Sequence, residues 1–362
     1  MKTFHIAFAG LLAAHAVTGA FAQSGARTTV NLYGRIDASL NFHRFTANAG
    51  QPGFSGKYLS SDTSRWGVRG SEDLGGGMSA YFKLEHGFNV DTGLPSNATA
   101  FFNRESIVGL SHRSLGSIQL GSQFTPSIWL TSKIDPFQRS NTGAILTLFQ
   151  QGGPAGARGY PSQQNNAVQY ISPVMGGFLV RALIATREGQ APLGDPRSLS
   201  VEFTRDRVFV GGVYERVTTI GSTVGQPTRS TVANTTALLG ATYRFDRFKL
   251  HGMLIENRIE GTTGMRGGMV GVSVPVGAGE VQATYQRRDL DDAANSDANL
   301  FAVQYMHALS KRTSVYVGTA RQRNDGAAAF GIWPSRLDQG TAGVPRAGGD
   351  VSALQTGIRH LF

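Results

Sequence analysis

Four basic residues near the start of the chain lie in segments where polar and apolar side chains alternate. Arg35 belongs to the polar positions of residues 30–42, and Arg65, Arg69 and Lys83 hold equivalent positions further along. Successive side chains of a β-strand point to opposite faces, so we expect all four on the polar face of a sheet. Fixed positive charges along a narrow, water-filled passage favour anions over cations. The chemistry that these residues could perform is therefore the selection of charged solutes.

A segment without strand alternation, residues 124–163, holds a second set of charges. Asp135 is its only acid, against Lys133, Arg139 and Arg158, so the segment carries a net positive charge. Connections longer than ~12–15 residues are usually functional or disordered. The segment also holds apolar residues that a freely solvated loop would not need, namely Ile128, Trp129, Leu130, Ile145, Leu146, Leu148 and Phe149. We expect these apolar residues to pack against the inner face of the sheet that carries the basic residues. Packing on neighbouring loops or on a partner protein is the alternative.

Long alternating strands are the elements that must hold these residues. In residues 30–42 the even positions are apolar or Gly and the odd positions are mostly polar, over thirteen residues. Strands of globular proteins usually have only ~5–6 residues. The same split recurs in residues 78–85 and 281–286. Such strands are typical of a transmembrane β-barrel, with apolar side chains toward lipid and polar side chains toward the interior.

The composition agrees with a barrel and excludes other classes of protein. Only 16% of the 362 residues are charged, against roughly 25% in soluble domains. No apolar run reaches the ~18 residues of a transmembrane helix. The absence of cysteine excludes disulfides, iron–sulfur clusters and cysteine nucleophiles. The net charge of +10 is spread over single Lys and Arg residues rather than gathered in a patch, so we expect no nucleic-acid partner.

Connections between the alternating segments are of two kinds. Short turns, such as residues 74–77 and 113–116, alternate with eight longer loops. The longer loops lie near residues 43–61, 90–101, 124–163, 188–197, 219–233, 257–266, 288–297 and 323–349. This asymmetry is typical of the periplasmic and extracellular ends of outer-membrane barrels. Eight long loops imply eight hairpins, so we predict an all-β fold: a sixteen-stranded antiparallel transmembrane β-barrel with an inward-folded third long loop.

Both ends of the chain carry signals of export and insertion. Lys2, an apolar stretch over residues 6–17 and the sequence Ala20-Phe21-Ala22 are typical of a cleaved secretory leader. We therefore predict a signal peptide over residues 1–22 and a barrel domain over residues 23–362. The last residue, Phe362, closes an alternating strand, and we interpret this terminal aromatic residue as the insertion signal of the barrel.

Several stretches of the chain match a known family. They are Val-Asn-Leu-Tyr-Gly-Arg-Ile-Asp at 30–37, Ser-Arg-Trp-Gly-Val-Arg-Gly-Ser-Glu-Asp-Leu-Gly-Gly-Gly at 64–77, Ala-Leu-Ser-Lys-Arg-Thr at 308–313 and Gly-Ile-Arg-His-Leu-Phe at 357–362. Through them the chain resembles general diffusion porins of Gram-negative outer membranes, most closely the betaproteobacterial type. The resemblance implies a water-filled homotrimeric barrel in contact with lipid and lipopolysaccharide. It also implies passive diffusion of small hydrophilic solutes and ions.

In the family that the chain resembles, basic wall residues face acids on the third loop across a constriction. The wall positions that match are Arg35, Arg65 and Arg104. Arg104 shares its parity with outward-facing apolar residues, so its inward placement depends on the resemblance alone. We predict a constriction that prefers anions, because the loop has a single acid and a basic excess. Its residues would be Arg35, Arg65, Arg69, Lys83, Arg104, Lys133, Asp135 and Arg139.

Other functions fit the sequence less well. A substrate-specific outer-membrane channel is the main alternative, although the lumen-facing aromatic residues Tyr33 and Tyr81 are few for a sugar path. An outer-membrane enzyme would need a nucleophile and a base close together, and no local Ser, His and Asp pattern stands out. A soluble, secreted all-β binding protein would have shorter strands. We expect no catalytic residues, no cofactor and no metal site, with divalent cations at the acidic loop near residues 289–297 as an open alternative.

Overall fold

The computed structural model describes residues 28–46, 52–150, 160, 162–186, 196–221, 230–259, 264–334, 345 and 347–362. These residues form the strands β1 (Thr28–Phe45), β2 (Phe54–Ser61), β3 (Arg65–Gly75), β4 (Met78–Gly87), β5 (Glu105–His112), β6 (Gly116–Phe124), β7 (Gln163–Ile171), β8 (Phe178–Ala185), β9 (Arg197–Arg205), β10 (Val208–Gly221), β11 (Ser230–Arg244), β12 (Lys249–Ile259), β13 (Met265–Val276), β14 (Gly279–Leu290), β15 (Ala298–Ala308), β16 (Thr313–Asn324) and β17 (Val351–Leu361). Two helices, α1 (Pro126–Ile134) and α2 (Leu146–Phe149), lie between β6 and β7. Neither is long and apolar enough to cross a membrane. The predicted signal peptide (residues 1–22) and Arg158 lie outside the described residues.

The strands close into one antiparallel barrel. Each strand from β3 to β17 pairs with its neighbours in sequence, and β1 pairs with β17 to close the ring. On its other side β1 pairs with β2 through residues 38–45 and with β3 through residues 28–35. β2 and β3 are therefore two halves of one barrel strand, interrupted at residues 62–64. Counted this way the barrel has sixteen strands, as predicted.

The two faces of the wall follow the predicted alternation. On β1, Val30 and Leu32 are exposed on the outer surface, with Leu32 at 64%, whereas Asp37 and Asn41 point inward and are fully buried. At the other end of the chain Leu354, Ile358 and Phe362 share the outer face. An apolar outer face suits lipid. The strand is longer than predicted because β1 continues to Phe45, so the first long loop shrinks to residues 46–53.

Connections alternate in length around the barrel. Tight turns join β3 to β4, β9 to β10 and β13 to β14, and longer connections join β4 to β5, β6 to β7 and β16 to β17. The β3–β4 turn requires left-handed backbone at three successive glycines, residues 75–77, which only Gly adopts without strain. The strand ends that short turns join lie at one end of the barrel, and those that long loops join lie at the other, as the sequence predicts.

The described part of the connection between β6 and β7, residues 125–150, 160 and 162, packs against the inner face of the wall. The Ser127 backbone N–H at the start of α1 donates to Glu215 Oε1 of β10 at 3.0 Å. His251 Nδ1 lies 2.7 Å from the carbonyl of Ile134, and Arg288 donates to the carbonyl of Leu148 at 2.7 Å. Most apolar residues of this connection are almost fully buried, including Ile128, Leu130, Ile134, Ile145, Leu148 and Phe149, whereas Trp129 is half-buried.

The inner face departs from the prediction on strands β10 to β15. Alternation predicts polar residues at every inward position, but several of them are buried and apolar, namely Phe209, Val213, Leu238, Met253, Ile255, Met265, Met269 and Leu300. They form one hydrophobic cluster with the apolar residues of α1 and α2. The physical reason is that the β6–β7 connection covers this part of the wall, so its inner face meets protein rather than water.

Candidate functional site

Positive charge surrounds a cavity of about 570 Å³ inside the barrel. The wall contributes Arg35, Arg65, Lys83 and Arg104, and the β6–β7 connection contributes Arg139. Among the described residues that line the cavity, Glu85 is the only acid. Five of the eight residues of the predicted constriction therefore meet at one place, with one carboxylate among them.

Strand register explains how β1, β3 and β4 bring these charges together. Arg35 is the pairing partner of Arg65, and Arg69 is the pairing partner of Lys83. Paired residues of neighbouring strands project from the same face. Like charges directly opposite one another repel, so this arrangement needs a compensating carboxylate nearby.

Glu85 supplies that compensation for three of the basic residues. Its carboxylate accepts a hydrogen bond from Arg104 Nε at 2.7 Å and lies 3.4 Å from Lys83 Nζ and 3.8 Å from Arg65 Nε. The Tyr33 hydroxyl donates to the same carboxylate at 2.9 Å. The acid is nearly fully buried, and the three basic side chains are about one quarter exposed. Glu85 therefore fixes the cations in place without cancelling their total charge.

Arg35 is held by a separate acid. Its guanidinium donates to Asp37 at 2.7 Å and to the Ser140 hydroxyl of the β6–β7 connection at 2.8 Å. Asp37 also accepts from Arg359 Nε at 2.6 Å and from the Tyr316 hydroxyl at 2.6 Å. Arg35 thus joins the wall to the inner connection at the edge of the cavity.

Arg104 points inward although the parity of β5 predicts the outer face. β5 begins at Glu105, so Arg104 precedes the strand and strand alternation does not apply to it. Its backbone N–H donates to the Glu85 carbonyl at 3.2 Å, and its side chain reaches the Glu85 carboxylate. The guanidinium also lies 5.2 Å from the centre of the Phe124 ring.

Arg69 lies apart from the charged cavity. It borders a second cavity of about 410 Å³, together with Lys83, Trp129 and Arg181. The Arg69 guanidinium lies 5.0 Å from the centre of the Tyr33 ring. Lys83 borders both cavities and forms a close ion pair with Glu105.

Lys133 lies on the other side of the inner connection. It forms a close ion pair with Glu202, which also lies 3.4 Å from Arg181. Here a third cavity of about 640 Å³ contains further basic residues near the short-turn end, namely Arg207, Arg244 and Lys249. Asp135, Asp206 and Glu280 line the same cavity, so its basic residues are largely offset by acids.

Asp135 has a structural environment within the connection. Its carboxylate accepts backbone N–H groups of Phe137 and Arg139 at 2.9 Å and of Ile145 at 3.1 Å. Burial raises the pKa of this carboxyl group to about 6, although the three backbone hydrogen bonds act in the opposite direction. The residue holds the shape of the segment that carries Arg139.

Arg139 is anchored inside the same segment. It donates to the Thr131 hydroxyl at 2.8 Å and makes close hydrogen bonds with Tyr160 and Gln150. Its backbone is left-handed, with φ of 60°. These contacts fix the guanidinium at the border of the cavity.

Sequence reasoning did not select several residues of the site. Glu85 has the same parity as Lys83, so alternation could have identified it. Arg181 and Glu202 lie on strands whose inner positions are partly apolar, and no pattern singled them out. Within the part of the chain that the structure describes, no group of three or more His, Asp or Glu side chains could hold a metal ion.

The sequence model of the Gram-negative porin family matches residues 9–327. The chain belongs to the Gram-negative porin family. Outer membrane porin protein 32 of Delftia acidovorans is 31% identical over 363 residues, which cover 97% of this chain and 99% of that protein. An outer membrane porin protein of Bordetella pertussis is 26% identical, over 87% of this chain and 94% of that protein.

Solved structures of porins have the same fold. An anion-selective porin from Comamonas acidovorans superimposes with a TM-score of 0.78 at 30% identity, over 93% of this chain and all of that chain. A trimer form of the Vibrio cholerae outer membrane protein OmpT has a TM-score of 0.64 at 16% identity, over 92% of this chain and 99% of that chain. The porin described here is therefore an outer-membrane diffusion channel of a Gram-negative bacterium, and the resemblance to betaproteobacterial porins is confirmed. Its relatives are channels rather than enzymes.

Proposed function

We propose that this porin is a general diffusion channel for small hydrophilic solutes and ions, and that it prefers anions. The observation that carries the proposal is the charged cavity, which five basic side chains border together with Glu85, the only acid among the described residues of its lining. An ion that passes this cavity therefore meets more basic than acidic side chains in its lining. We assign the selectivity to Arg35, Arg65, Lys83, Arg104 and Arg139.

The size of the effect follows from the distances inside a narrow passage. Two unit charges 4 Å apart interact by about 1 kcal/mol in bulk water and by more where protein displaces water. Several fixed cations thus favour anions by a free energy well above thermal energy. The anion-selective porin from Comamonas acidovorans, at 30% identity, supports this direction of selectivity.

The decisive experiment is the reversal potential of the channel in a KCl gradient. We expect the parent channel to pass chloride in preference to potassium. The double variant Arg65→Gln/Arg104→Gln removes two charges that contact Glu85, and we expect it to lower the chloride-to-potassium permeability ratio at least about fivefold. Lys311→Gln/Arg312→Gln, at exposed residues of the β15–β16 turn, removes the same number of charges and is the matched control. A parent channel that prefers potassium would refute the proposal.

The alternative of a substrate-specific channel predicts a different result. A general channel admits uncharged sugars at rates that fall smoothly with their size. A specific channel would saturate with one class of sugar. Swelling of liposomes that contain the porin, measured with a graded series of sugars, separates the two alternatives.

We also propose how the chain is delivered and assembled. Residues 1–22 act as a cleaved signal peptide, and the mature barrel forms a homotrimer in contact with lipid and lipopolysaccharide. Phe362 acts as the insertion signal; it lies at the seam where its backbone N–H donates to the Gly34 carbonyl at 3.1 Å. Migration of unheated samples on a gel tests whether the barrel forms a trimer. Deletion of Phe362 tests whether this residue is the insertion signal.

A further inference from the structure

A second segment of the chain enters the barrel beside the β6–β7 connection. Residues 325–334 follow β16, and Ala328, Phe330 and Ile332 are almost fully buried. The Phe330 ring lies 4.8 Å from the Arg288 guanidinium, the group that also donates to the Leu148 carbonyl. This inner arm, as we call residues 325–334, therefore packs on the same wall as α2.

The inner arm also reaches the charged cavity. The Trp333 backbone N–H donates to the Thr147 hydroxyl at 3.3 Å, and the Trp333 side chain borders the cavity beside Arg35 and Arg139. The passage is thus bordered by two segments that are far apart in sequence. Their relative position sets the space left between them.

Asp62 bonds to both segments at once. It lies in the interruption between β2 and β3 and is fully buried. One oxygen of its carboxylate accepts the indole N–H of Trp333 at 2.9 Å. The other oxygen accepts the backbone N–H of Asn141, in a close contact at the tip of the β6–β7 connection.

Asp62 forms no ion pair with a residue that the structure describes, in contrast to the buried acids Asp37, Glu85, Glu105 and Glu202. Among the described residues, no Lys, Arg or His nitrogen lies within 4.0 Å of its carboxylate. The nearby guanidinium groups of Arg35 and Arg359 bond to Asp37 instead. Burial of a carboxylate costs free energy unless hydrogen bonds compensate it. The position of Asp62 therefore depends on the N–H donors of Trp333 and Asn141.

The tip of the β6–β7 connection, Asn141 and Thr142, directly follows in sequence the residues that border the cavity. Asn141 donates to Gln304 at 2.8 Å, and the Thr142 backbone N–H donates to Gln355 at 3.2 Å. The two residues before Asn141 are Ser140, which contacts Arg35, and Arg139. A shift of the tip therefore moves groups that border the passage.

We infer that Asp62 is a positioning residue that sets the width of the passage by joining the tip of the β6–β7 connection to the inner arm. The inference concerns the width of the passage, whereas the proposed function concerns selection by charge. Either can fail while the other stands.

Two variants separate the two links that Asp62 makes. Asp62→Ala removes both hydrogen bonds, whereas Trp333→Phe removes the indole donor and makes the aromatic side chain smaller, without any change of charge. We expect both to raise single-channel conductance, Asp62→Ala more than Trp333→Phe. The double variant should conduct no better than Asp62→Ala, because the two residues act through one contact. Asp62→Asn carries the same charge change as Asp62→Ala but keeps one acceptor, so its conductance should fall between the parent and Asp62→Ala.

The absence of native cysteine allows a direct test of the position of the tip. Thr142 is fully buried and its hydroxyl has no hydrogen-bond partner among the described residues, so Thr142→Cys is a mild substitution. In the parent background this thiol should react slowly with a water-soluble thiol reagent. With Asp62→Ala we expect the reaction to be at least about tenfold faster, because the tip loses the hydrogen bond that holds it in place.

Controls distinguish positioning from general loss of structure. The heat-dependent shift in gel mobility reports whether each variant forms a barrel. Asp291→Asn, at an exposed residue of the β14–β15 loop, should leave conductance and labelling unchanged. If Asp62→Ala does not fold, Trp333→Phe still tests the inference, since it keeps the carboxylate and the link to Asn141. Folded variants with parental conductance and parental labelling would overturn the inference.

Discussion

The two sides of the barrel interior are built from the same alternating strands but meet different surroundings. The charged wall, formed by β1, β3, β4 and Arg104 just before β5, presents basic side chains to the cavity. The receiving wall, formed by β10 to β13, presents apolar residues and glycines to the β6–β7 connection. On the charged wall, inward-facing side chains form ion pairs. On the receiving wall, inward-facing residues pack against the β6–β7 connection.

Glycine on the receiving wall makes room for particular side chains of the connection. A Cβ atom added at Gly267 would lie 2.4 Å from Phe149 Cε1, and one added at Gly271 would lie 2.8 Å from Pro136 Cγ. Residues Gly211 and Gly240 face Leu130 and Ile134 in the same way. These close approaches show why an inner face can be rich in Gly without being irregular.

The difference teaches that alternation defines the inner face but not what that face contacts. An inward residue is polar where water reaches it and apolar where another segment covers it. In this porin the position of the β6–β7 connection decides which case applies, because the connection packs on the receiving wall and leaves the charged wall uncovered.

The largest expected effect comes from filling the receiving wall. Gly267→Ala places a methyl group against the buried Phe149 ring and 2.6 Å from the Arg287 carbonyl. Overpacking of this kind costs about 1–3 kcal/mol, so we expect a lower unfolding temperature in detergent and a changed conductance as α2 shifts. The gel-mobility shift on heating and single-channel recording measure the two effects.

Gly252→Ala is the matched control for this substitution. Gly252 lies on the adjacent strand β12, and an added Cβ would meet nothing within 4 Å. It should leave the unfolding temperature and the conductance at their parental values. If Gly252→Ala and Gly267→Ala behaved alike, the close approach of Phe149 to Gly267 would not explain the effect.

A smaller effect is expected from the acid of the charged wall. Glu85→Gln leaves Arg65, Lys83 and Arg104 without their shared carboxylate. The charge excess of the cavity rises by one, so the chloride-to-potassium permeability ratio should increase, by about fivefold at most. The reversal potential in a KCl gradient measures this ratio. Glu72→Gln makes the same charge change at the exposed end of β3 and should have no effect; an unchanged ratio in Glu85→Gln would contradict the prediction.

The smallest effect concerns Asp135 and pH. Its pKa of about 6 means that the carboxyl group is mostly ionised at pH 7.5 and mostly protonated at pH 5. Protonation removes a negative charge beside Lys133 and Lys249. The chloride preference should therefore rise as the pH falls through 6, by less than about twofold because Asp135 borders a different cavity from the five clustered cations.

Asp135→Asn isolates this contribution from every other titrating group. The variant has no carboxyl group at this position, so its permeability ratio should lack the component with a midpoint near pH 6. Reversal potentials at several pH values provide the comparison. Identical pH profiles for the parent and Asp135→Asn would show that Asp135 does not contribute to the pH dependence of the permeability ratio.

The sequence predicts the inward residues of the charged wall more completely than those of the receiving wall. Arg35, Arg65 and Lys83 follow from alternation because their strands are regular and their inner face meets water. Arg104 does not follow, because it lies just outside a strand. The inward residues of the receiving wall, such as Leu238, break the polar pattern for a reason that lies in another segment of the chain.

The sequence by itself determined the barrel, its sixteen strands, the ends that bear short turns and long loops, and the side of the wall that faces lipid. These are local properties: a period of two along each strand and the length of each connection are written in neighbouring residues. The tertiary structure alone decided that Glu85 joins three cations, that glycines admit the β6–β7 connection and that Asp62 bonds to Asn141 and Trp333. Such contacts join residues that only closure of the barrel brings together, and no local pattern records them.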